Sequence, residues 1–432
     1  MKNDSSSRSI NNHTQKKVAI FHCGFIYSGG GERIVLEEAR GLVRRGWHVE
    51  VYGPTINPKK CYPQILKELN VKTFLPSYFD SMPLRNALRM IVTSILAPVL
   101  ALWFRHIDIF IGANQPGAWM AYCMSTLLNK PYIVYLNQPA RLLYPRPVDR
   151  QFGWFTTEKD YQFLYKLFRF IRPAISILDR KSTSKGFAIM VNGSYIGGVI
   201  ENIYGIKTID NPAGATTQPL KNIASGWRQK KNSTRFVLNG KQIDMPYALI
   251  TNRHDPQKRF DYVIKAMLQV IKQVPKATLV IPGPFTQYTP QLVQMTKDLK
   301  IDDRVVFTGQ IREDELQQLY KYAQVYCYPS EQEDFGLGPL EAGGWAVPTV
   351  AWNVAGPTVT VEDGVTGFLV EPYDVNKYAQ AMIELFTNKQ RRLRMGKAAW
   401  ERTHTQFSWD KHLDIVESEL NKALIKKTDL SV

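Results

Sequence analysis

Residues 331–344 read Glu-Gln-Glu-Asp-Phe-Gly-Leu-Gly-Pro-Leu-Glu-Ala-Gly-Gly. An apolar run typical of a β-strand, at 323–328, comes before this stretch and ends in a Pro-Ser turn. The glycine-rich segment 335–338 then leads to Pro339, a residue suited to the first turn of a helix. The stretch therefore predicts a strand, a glycine loop and a helix N-terminus, which together turn unpaired backbone N–H groups and a positive dipole end toward an anion.

Two carboxylates stand on either side of these glycines. Glu333 and Glu341 are eight positions apart, and we expect Glu333 on the loop and Glu341 in the first turn of the helix. Both would border an anion site without filling it. The alternative is a plain strand–helix turn whose glutamates are solvated or stabilise the helix dipole, since glycine loops before helices are common.

The basic residues of the chain are unevenly distributed. The 432 residues carry 55 Lys and Arg against 38 Asp and Glu. Residues 1–212 hold 27 of the cations and 14 of the anions, whereas residues 213–432 hold 28 and 24. The excess in the first half would attract nucleic acid, an anionic membrane or a phosphorylated substrate, and a merely solvated basic surface is the alternative.

The composition, 44% hydrophobic and 22% charged, is that of a globular protein long enough for two or three domains. The four cysteines are widely spaced and form no Cys-x-x-Cys or Cys/His cluster, which indicates neither a disulfide framework nor a zinc site. A reducing cytoplasm fits this cysteine usage best. Residues 1–15 are polar and lack an apolar core, so we expect a disordered leader and not a signal peptide.

Strands and helices alternate in both halves of the chain. The first half opens with a buried-type strand at 18–22, a glycine-rich turn, an apolar-periodic helix that ends at Gly46, and a second strand. The alternation resumes at Tyr247, after residues 211–246, which are rich in turn-forming residues and show no sustained period. This pattern predicts an α/β fold class with two doubly wound, Rossmann-like domains, each opening with a βαβ unit, that face each other across a cleft.

The predicted domains cover residues 16–212 and 213–404, with the boundary in the irregular stretch between them. An amphipathic final helix at about 408–424 is expected to pack back on the first domain. The glycine-rich turn of the first domain is not Gly-x-Gly-x-x-Gly, so the pattern does not favour a dinucleotide site.

Two segments of the first half admit more than one interpretation. Residues 90–104 are uncharged and almost wholly apolar, and Arg89 and Arg105 flank them. Fifteen residues are too few for a comfortable membrane span, so this segment is either a buried helix or a helix in the membrane interface. Between 141 and 180 aromatic residues alternate with Arg and Lys, which could stack on bases or anchor at a headgroup layer. Their helical spacing favours plain core packing.

In the second half, the ends of two predicted strands supply groups suited to a diphosphate. Arg253 and Lys258 follow the first of these strands, and the glycine loop offers directed N–H donors. One carboxylate at a helix start can accept two ribose hydroxyls, and a second can accept hydroxyls of a sugar. The set indicates a nucleotide-diphosphate sugar. No Gly-Lys-Ser/Thr follows a glycine run, so a Walker loop is not indicated.

With these residues assembled, the chain resembles a retaining glycosyltransferase of family four, with the GT-B fold, over nearly its whole length after residue 16. Its most specific part is Glu333 to Glu341, which matches two family glutamates separated by seven residues, in the form Glu-Asp-Phe-Gly-x-Gly-Pro-x-Glu-Ala. Arg253 and Lys258 match an Arg and a Lys five positions apart. The turn 29–33 is similar to the Gly-Gly-x-Glu-Arg turn of the lipid-linked-oligosaccharide mannosyltransferase branch, and residues 361–370 are similar to a family segment of the form Asp-Gly-x-x-Gly-x-Leu-Val.

The resemblance implies a role for each matched residue. Arg253 and Lys258 would hold the diphosphate and stabilise the leaving group. Glu341 would bind the ribose, and Glu333 would position the donor sugar. The backbone of Phe335, Gly336, Leu337 and Gly338 would help to position the donor sugar and phosphate. Gly30 and Gly31, from the first domain, would approach the donor phosphate or the acceptor. Family members need no metal, and this chain has no Asp-x-Asp ligand pair.

One position departs from the family pattern. Many members carry His where this chain has Asn137, a candidate catalytic residue in Tyr-Leu-Asn-Gln-Pro. Asn can donate or accept a hydrogen bond but does not titrate. The His role is therefore dispensable, or Asn137 serves by orientation alone, which we favour, or activity is reduced. Of two other candidates, His22 is expected to be structural and His254 has no assigned role.

The resemblance implies transfer of a hexose, mannose or glucose, with retention at the anomeric carbon, from a GDP- or UDP-linked donor without cofactor or metal. The basic, aromatic and apolar features fall in the half that holds the acceptor in this fold, which favours a lipid-linked or other membrane-surface glycan. We expect a cytoplasmic enzyme, peripheral on the inner face of the membrane, with no nucleic-acid partner. The alternative is a catalytically weak GT-B protein that binds a membrane or nucleic acid.

Overall fold

The computed structural model describes residues 15–74, 96, 99–152, 159–221, 223 and 235–429. The chain divides into two compact units, Met1–Ile133 with Leu420–Val432, and Val134–Glu419. The domains predicted from the sequence, 16–212 and 213–404, divide the chain at other positions than these two units do, and their bounds stay a prediction. The proposed leader, 1–15, lies almost entirely outside the described residues.

The first unit is built on parallel strands in the order β3-β2-β1-β4. Ile20 in β1 lies beside Val51 of β2 on one side and Ile111 of β4 on the other. Every residue of β4 is buried, as expected for a parallel strand covered on both faces. The strands are β1 (Lys17–His22), β2 (His48–Gly53), β3 (Lys72–Thr73) and β4 (Ile109–Ala113), and the helices are α1 (Gly30–Arg44), α2 (Pro63–Glu68) and α3 (Gly117–Leu128).

The second unit begins within β5 and carries parallel strands that pair in the order β5-β6-β7. Leu136 of β5 lies beside Val191 of β6, which in turn lies beside Asp210 of β7. The elements are β5 (Tyr132–Leu136), α4 (Pro147–Phe152), α5 (Lys159–Ser184), β6 (Ile189–Val191), α6 (Ser194–Tyr204) and β7 (Ile209–Asp210). The aromatic pattern predicted between 141 and 180 falls largely on residues 152–169, whose side chains lie outside the described ones.

The same unit contains a six-stranded parallel sheet in the order β12-β11-β10-β13-β14-β15. This is the strand order 3-2-1-4-5-6 of a doubly wound sheet, with its switch point between β10 and β13. Its strands are β10 (Tyr247–Leu249), β11 (Thr278–Pro282), β12 (Val305–Gly309), β13 (Val325–Tyr328), β14 (Thr349–Trp352) and β15 (Gly367–Val370). Its helices are α7 (Phe260–Gln273), α8 (Thr289–Asp298), α9 (Glu313–Tyr322), α10 (Leu337–Gly344), α11 (Pro357–Thr360), α12 (Val375–Thr387) and α13 (Lys389–Gln406).

Both faces of the six-stranded sheet are buried. Ala248 of β10 packs into one apolar cluster with Phe260 and Trp352, while its neighbours Tyr247 and Leu249 pack into a second cluster on the other face. This alternation follows from the period of two in a strand, and it explains why the strands read as continuous apolar runs. The predicted α/β class with parallel, doubly wound sheets is confirmed.

An antiparallel hairpin, β8 (Arg235–Leu238) with β9 (Lys241–Asp244), lies in the stretch that we expected to be irregular. Asn239 and Gly240 form its turn with φ angles of 47° and 70°. Asn-Gly is the preferred pair for a two-residue hairpin turn, because both positions need positive φ. The signal was present in the sequence, and the prediction of an irregular stretch was wrong at this point.

The apolar segment 90–104 is described only at residue 96 and from residue 99 onward. Residues Ala101–Phe104 form a 3-10 turn in which Ala101 and Phe104 are buried, whereas Leu102 and Trp103 are exposed. The described part is therefore half-buried, with an apolar outer face. No helix within the described ranges is both long enough and apolar enough to cross a membrane.

The final helix, α14 (Trp409–Asp429), is longer than the predicted 408–424. In the first unit, Lys16, which directly precedes β1, donates a hydrogen bond of 2.6 Å from its Nζ to Asn421 Oδ1. In the second unit, the His412 ring lies 3.0 Å from the carbonyl oxygen of Pro212. The ends of α14 thus contact residues distant in sequence in each unit.

Candidate active site

The site predicted from the second half of the chain lies at the switch point of the six-stranded sheet. β10 and β13 are neighbours there, and the chain leaves both strands at the same edge. The segment after β10 carries Arg253 and Lys258, and the segment after β13 carries Glu333 and the glycines. In open α/β sheets, ligands bind in the crevice outside the carboxyl ends of the strands at such a point.

An ion pair joins the two segments. The Lys258 Nζ donates to Glu333 Oε2 at 2.5 Å, and the side chains are only 16% and 23% exposed. Burial by itself would raise the pKa of the Glu333 carboxyl, but the charge of Lys258 and its hydrogen bond hold the pKa below its ordinary value. The structure therefore brings these two predicted catalytic residues together, with the carboxylate ionised near neutral pH.

Arg253 lies on the same segment but is more open to solvent. Its side chain is 43% exposed, and its Nε donates to Asp255 Oδ2 at 2.7 Å. Lys258 ends the 3-10 turn Pro256–Lys258, and the backbone N–H of Glu331 donates to the Gln257 carbonyl at 3.4 Å. The basic segment and the segment of Glu333 are thus also linked through the backbone.

The carboxylate of Glu341 accepts a hydrogen bond from a buried tyrosine hydroxyl. The Tyr320 hydroxyl donates to Glu341 Oε2 at 3.0 Å and lies 3.2 Å from the Thr251 hydroxyl. The Thr251 hydroxyl in turn lies 2.6 Å from the hydroxyl of Tyr326. Tyr320 and Thr251 were not among the predicted site residues. Only the contact of Tyr320 with the carboxylate, and that of Thr251 with Tyr320, distinguish them from ordinary interior residues.

The helix α10 begins earlier than predicted. Gly336, with a φ of 96°, caps it, so Leu337 and Gly338 belong to the first turn and not to the loop. Glu341, the fifth residue of α10, therefore lies in the second turn, and its predicted place in the first turn was wrong. The physical reason is the left-handed Gly336, which reverses the chain three residues before Pro339.

The backbone around Phe335 is unusually crowded. A Cβ on Gly356 would overlap the backbone nitrogen and Cα of Phe335, and the Gly356 N–H donates to the Glu333 carbonyl at 2.8 Å. A Cβ on Gly193 would come within 3.3 Å of the Phe335 ring. Phe335 is buried, so its side chain helps to fix the loop in place, and a contact of its backbone with the donor stays a prediction.

Two arginines that we had assigned only to a basic, aromatic pattern reach the same loop. Arg141 pairs with Asp334 through Nη2 and Oδ1, and its side chain is only 4% exposed. Arg146 donates from Nη1 to the carbonyl of Gln332 at 2.6 Å. The Arg146 guanidinium is itself held by Asp149, at 3.0 Å from Nε and 2.8 Å from Nη2.

The cations and carboxylates beside the loop of Glu333 and Asp334 partly neutralise one another. Burial by itself would lower the pKa of Arg146, but its hydrogen bond to Asp149 and the charges of Asp334 and Glu333 raise it. Burial raises the pKa of Asp334 above its ordinary value, although Arg141 and Arg146 lie beside it. Sequence reasoning missed these contacts because the partners are up to 193 positions apart.

Three further predicted residues lie on other elements. Asn137 is half-buried and directly follows β5, at the carboxyl end of that strand. Gly30 and Gly31 belong to the first unit, where they are the first two residues of α1 and not part of a loop before it. The roles of all three stay predictions.

The two histidines considered above are poor candidates for acid–base chemistry. Burial lowers the pKa of His22 to about 4, and its Nδ1 lies 3.2 Å from the carbonyl oxygen of Ala113. Burial also lowers the pKa of His254 to about 4, and its ring contacts the rings of Phe260 and Phe285. Both histidines are therefore neutral near pH 7, which agrees with a structural role for His22.

Two family models cover most of the chain. Residues 28–210 match Glycosyltransferase Family 4, and residues 233–402 match Glycosyl transferases group 1. The chain is a family-four glycosyltransferase with the GT-B fold.

Two relatives that are named as mannosyltransferases support this family assignment. The alpha-1,3/1,6-mannosyltransferase ALG2 of Mus musculus is 24% identical over 406 residues, which cover 89% of this chain and 91% of that protein. A GDP-mannose-dependent alpha-(1-6)-phosphatidylinositol monomannoside mannosyltransferase of Mycobacterium tuberculosis is 31% identical over 174 residues, covering 39% of this chain and 45% of that protein. The match thus extends over most of ALG2 but over less than half of the mycobacterial enzyme.

A solved structure also shares the fold. The structure of Alr3699/HepE from Anabaena in complex with UDP-glucose superimposes with a TM-score of 0.69 and 17% identity. It covers 94% of this chain and 99% of the other. The predicted fold and the resemblance to family four are both confirmed, and the protein is an enzyme of the glycosyltransferase class.

Proposed function

We propose that this glycosyltransferase moves a hexose, mannose or glucose, from a GDP- or UDP-linked donor to a lipid-linked or other membrane-surface glycan, with retention at the anomeric carbon. The observation that carries the donor site is the Lys258–Glu333 pair at the switch point, beside the start of α10. Retention is supported by the resemblance to the family alone.

Each part of the donor would meet a suitable group. The diphosphate would lie at the backbone N–H groups of Leu337 and Gly338, with Lys258 and Arg253 as the cations that stabilise its leaving charge. Glu341, oriented by the Tyr320 hydroxyl, would accept the ribose hydroxyls. Glu333 would accept hydroxyls of the sugar while its charge is balanced by Lys258.

No metal or other cofactor is needed in this proposal. The two cations and the helix N-terminus supply the positive potential that a metal would otherwise supply to a diphosphate. Within the described residues, no three His, Cys, Asp or Glu side chains are grouped as a metal site requires. Metal independence is tested by comparing turnover with and without a chelator such as EDTA.

The choice between nucleotides is left to experiment, because the relatives differ. The mycobacterial relative is named for its dependence on GDP-mannose, and the Anabaena structure holds UDP-glucose. The mannosyltransferase ALG2 matches the chain over most of its length, which supports mannose as the sugar.

An acceptor at a membrane surface is supported by an exposed apolar face in the first unit. Leu96, Val99, Leu102 and Trp103 are 38% to 65% exposed, and the first three stand three positions apart. Arg105, which is also exposed, stands two positions after Trp103. Apolar side chains next to a cation fit the surface of an anionic bilayer, which would place the enzyme on the cytoplasmic face of the membrane.

The decisive experiment measures nucleotide binding and transfer in the same protein. We expect GDP or UDP, but not both equally, to raise the thermal unfolding temperature of the wild type. Lys258→Ala and Glu341→Ala should abolish transfer of the sugar while leaving the fold intact by circular dichroism. Lys297→Ala, which removes an exposed charge on α8, is the matched control and should leave turnover unchanged.

Two outcomes would contradict the proposal. Unchanged turnover in either site variant would refute the assignment of the donor site. If neither nucleotide nor their mannose and glucose conjugates stabilise the wild type, the catalytically weak membrane- or nucleic-acid-binding alternative is favoured instead.

A further inference from the structure

We infer that Arg146, together with Arg141, is a positioning residue for Glu333, because the two guanidinium groups clamp the residues on either side of it. The inference rests on the proposed function, in which Glu333 contacts the donor sugar. It adds a set of residues from the segment 141–149 to a donor site that is otherwise built from the six-stranded sheet.

The clamp holds both neighbours of Glu333. On one side, Arg146 Nη1 donates to the backbone carbonyl of Gln332 at 2.6 Å. On the other side, the two oxygens of the Asp334 carboxylate face different guanidinium groups: Oδ1 pairs with Arg141, and Oδ2 lies 3.5 Å from Arg146. The backbone of Glu333 therefore has little freedom to rotate its side chain away from Lys258.

The segment needs such a clamp because its backbone is strained. Gln332 has a φ of 50°, in the left-handed region that residues with a Cβ rarely adopt. Strained conformations of this kind persist only where surrounding contacts over-determine them. The Gln332 side chain supplies a further contact, since its Oε1 accepts a hydrogen bond of 3.1 Å from the Val148 N–H.

Arg146 is itself set in one orientation before it reaches the loop. The Asp149 carboxylate, which is buried, accepts from Arg146 Nε and Nη2 in a two-pronged pair and also from the Arg146 N–H at 3.0 Å. This pairing leaves Nη1 directed at the loop. A planar guanidinium can make both sets of contacts at once, whereas a lysine ammonium cannot.

The charge of Arg146 adds to its geometric role. Arg146 and Lys258 both stabilise the ionised form of Glu333. In the proposed reaction Lys258 also serves the diphosphate of the donor, so Arg146 is the cation that stays with the loop throughout the cycle. Loss of Arg146 should therefore disturb the step that depends on the sugar and not the binding of the nucleotide.

The test compares Arg146→Gln with the wild type in the full chain. The probes are GDP and GDP-mannose, or UDP and UDP-glucose if UDP is the nucleotide that the wild type binds. We expect kcat to fall about 10- to 100-fold, while the Kd of the nucleotide changes less than threefold. Arg146→Lys should not restore kcat. Arg150→Gln, which changes an exposed arginine on the adjoining helix α4, is the control and should match the wild type.

A merely structural role gives a different result. If the role is structural, Arg146→Gln would lower the unfolding temperature and reduce nucleotide binding and kcat in proportion. Alternatively, it would leave kcat per folded molecule unchanged. Either outcome overturns the inference. If Arg146→Gln does not fold, Arg141→Gln takes its place, with a smaller loss of kcat and an unchanged nucleotide Kd expected. A wild type that neither binds a nucleotide nor transfers sugar refutes the proposed function first, so the two failures are distinguishable.

Discussion

At the scale of single residues, the orientation of Glu341 depends on one buried hydroxyl. Tyr320 is 1% exposed, and its hydroxyl donates to the carboxylate that would accept the ribose. A carboxylate fixed in this way can offer its remaining lone pairs to two neighbouring hydroxyls without first being ordered. Fixing the carboxylate should therefore strengthen nucleotide binding and leave the rate of the chemical step nearly unchanged.

Replacing Tyr320 with Phe should weaken nucleotide affinity about tenfold and leave kcat within about twofold. A hydrogen bond to a charged group contributes about 1.5–3 kcal/mol, and about 1.4 kcal/mol corresponds to a factor of ten in affinity. Isothermal titration with the nucleotide and steady-state kinetics measure the two quantities. Tyr247→Phe is the control, since its buried hydroxyl donates to a backbone group, the Leu319 carbonyl, at 2.6 Å. Equal effects of the two substitutions on affinity would contradict the assignment.

At the scale of elements, the helix α10 is placed by close backbone contact with α13. A Cβ on Gly396 of α13 would overlap the carbonyl oxygen of Ala346, and a Cβ on Gly343 of α10 would come within 2.6 Å of the Thr403 hydroxyl. Glycine at these positions lets the two backbones approach closely. Because the first turn of α10 lies at the candidate site, this packing also sets where its N–H groups point.

Gly396→Ala should therefore destabilise the protein by about 1–3 kcal/mol, since overpacking forces the backbone apart. Gly198→Ala is the matched control: Gly198 lies in α6 with open space around its Cα, so alanine there should be neutral or stabilise by about 0.5–1 kcal/mol. Urea denaturation measures both free energies of unfolding. If the two variants are equally stable, the close contact does not exist in solution.

At the scale of the whole molecule, the net charge of +17 and the exposed apolar face would act together in the proposed membrane binding. The cations would raise the local concentration of the protein near an anionic surface, and the apolar side chains would add a short-range contact. The end of α14 contributes to the same unit with the exposed Lys422, Ile425 and Lys426. Each cation near an anionic bilayer is worth about 1 kcal/mol, and this contribution is screened by salt.

The protein should accordingly sediment with vesicles of phosphatidylglycerol and phosphatidylcholine. Less protein should sediment at 0.5 M than at 0.1 M salt, because salt screens the attraction and the Debye length is already about 10 Å at 0.1 M. Trp103→Ser should reduce vesicle binding at least threefold, because a large apolar side chain contributes about 1.5–3 kcal/mol when buried. Val237→Ser, which removes an apolar side chain that is 66% exposed on the hairpin, is the control. Binding to neutral vesicles alone, or equal loss in both variants, would contradict a docking face formed by Leu96, Val99, Leu102 and Trp103.

The amino-acid sequence by itself determined the α/β class, the parallel strands and the stretch that carries the candidate donor site, since these depend on local periodicity and on a motif within one short stretch. The spacing of Glu333 and Glu341 and the pair Arg253 and Lys258 were readable for the same reason. The Asn-Gly hairpin was equally readable, and it was missed because the surrounding composition suggested an irregular domain boundary.

Only the tertiary structure decided how these residues are held. The contacts of Arg141 and Arg146 with the loop of Glu333 join residues 186 to 193 positions apart, and no local pattern specifies such a pairing. The earlier start of α10 likewise depends on a backbone angle at Gly336 that glycine permits but does not require. The sequence identified the groups that would bind the donor, whereas the long-range contacts that orient them arise from the packing of the folded chain.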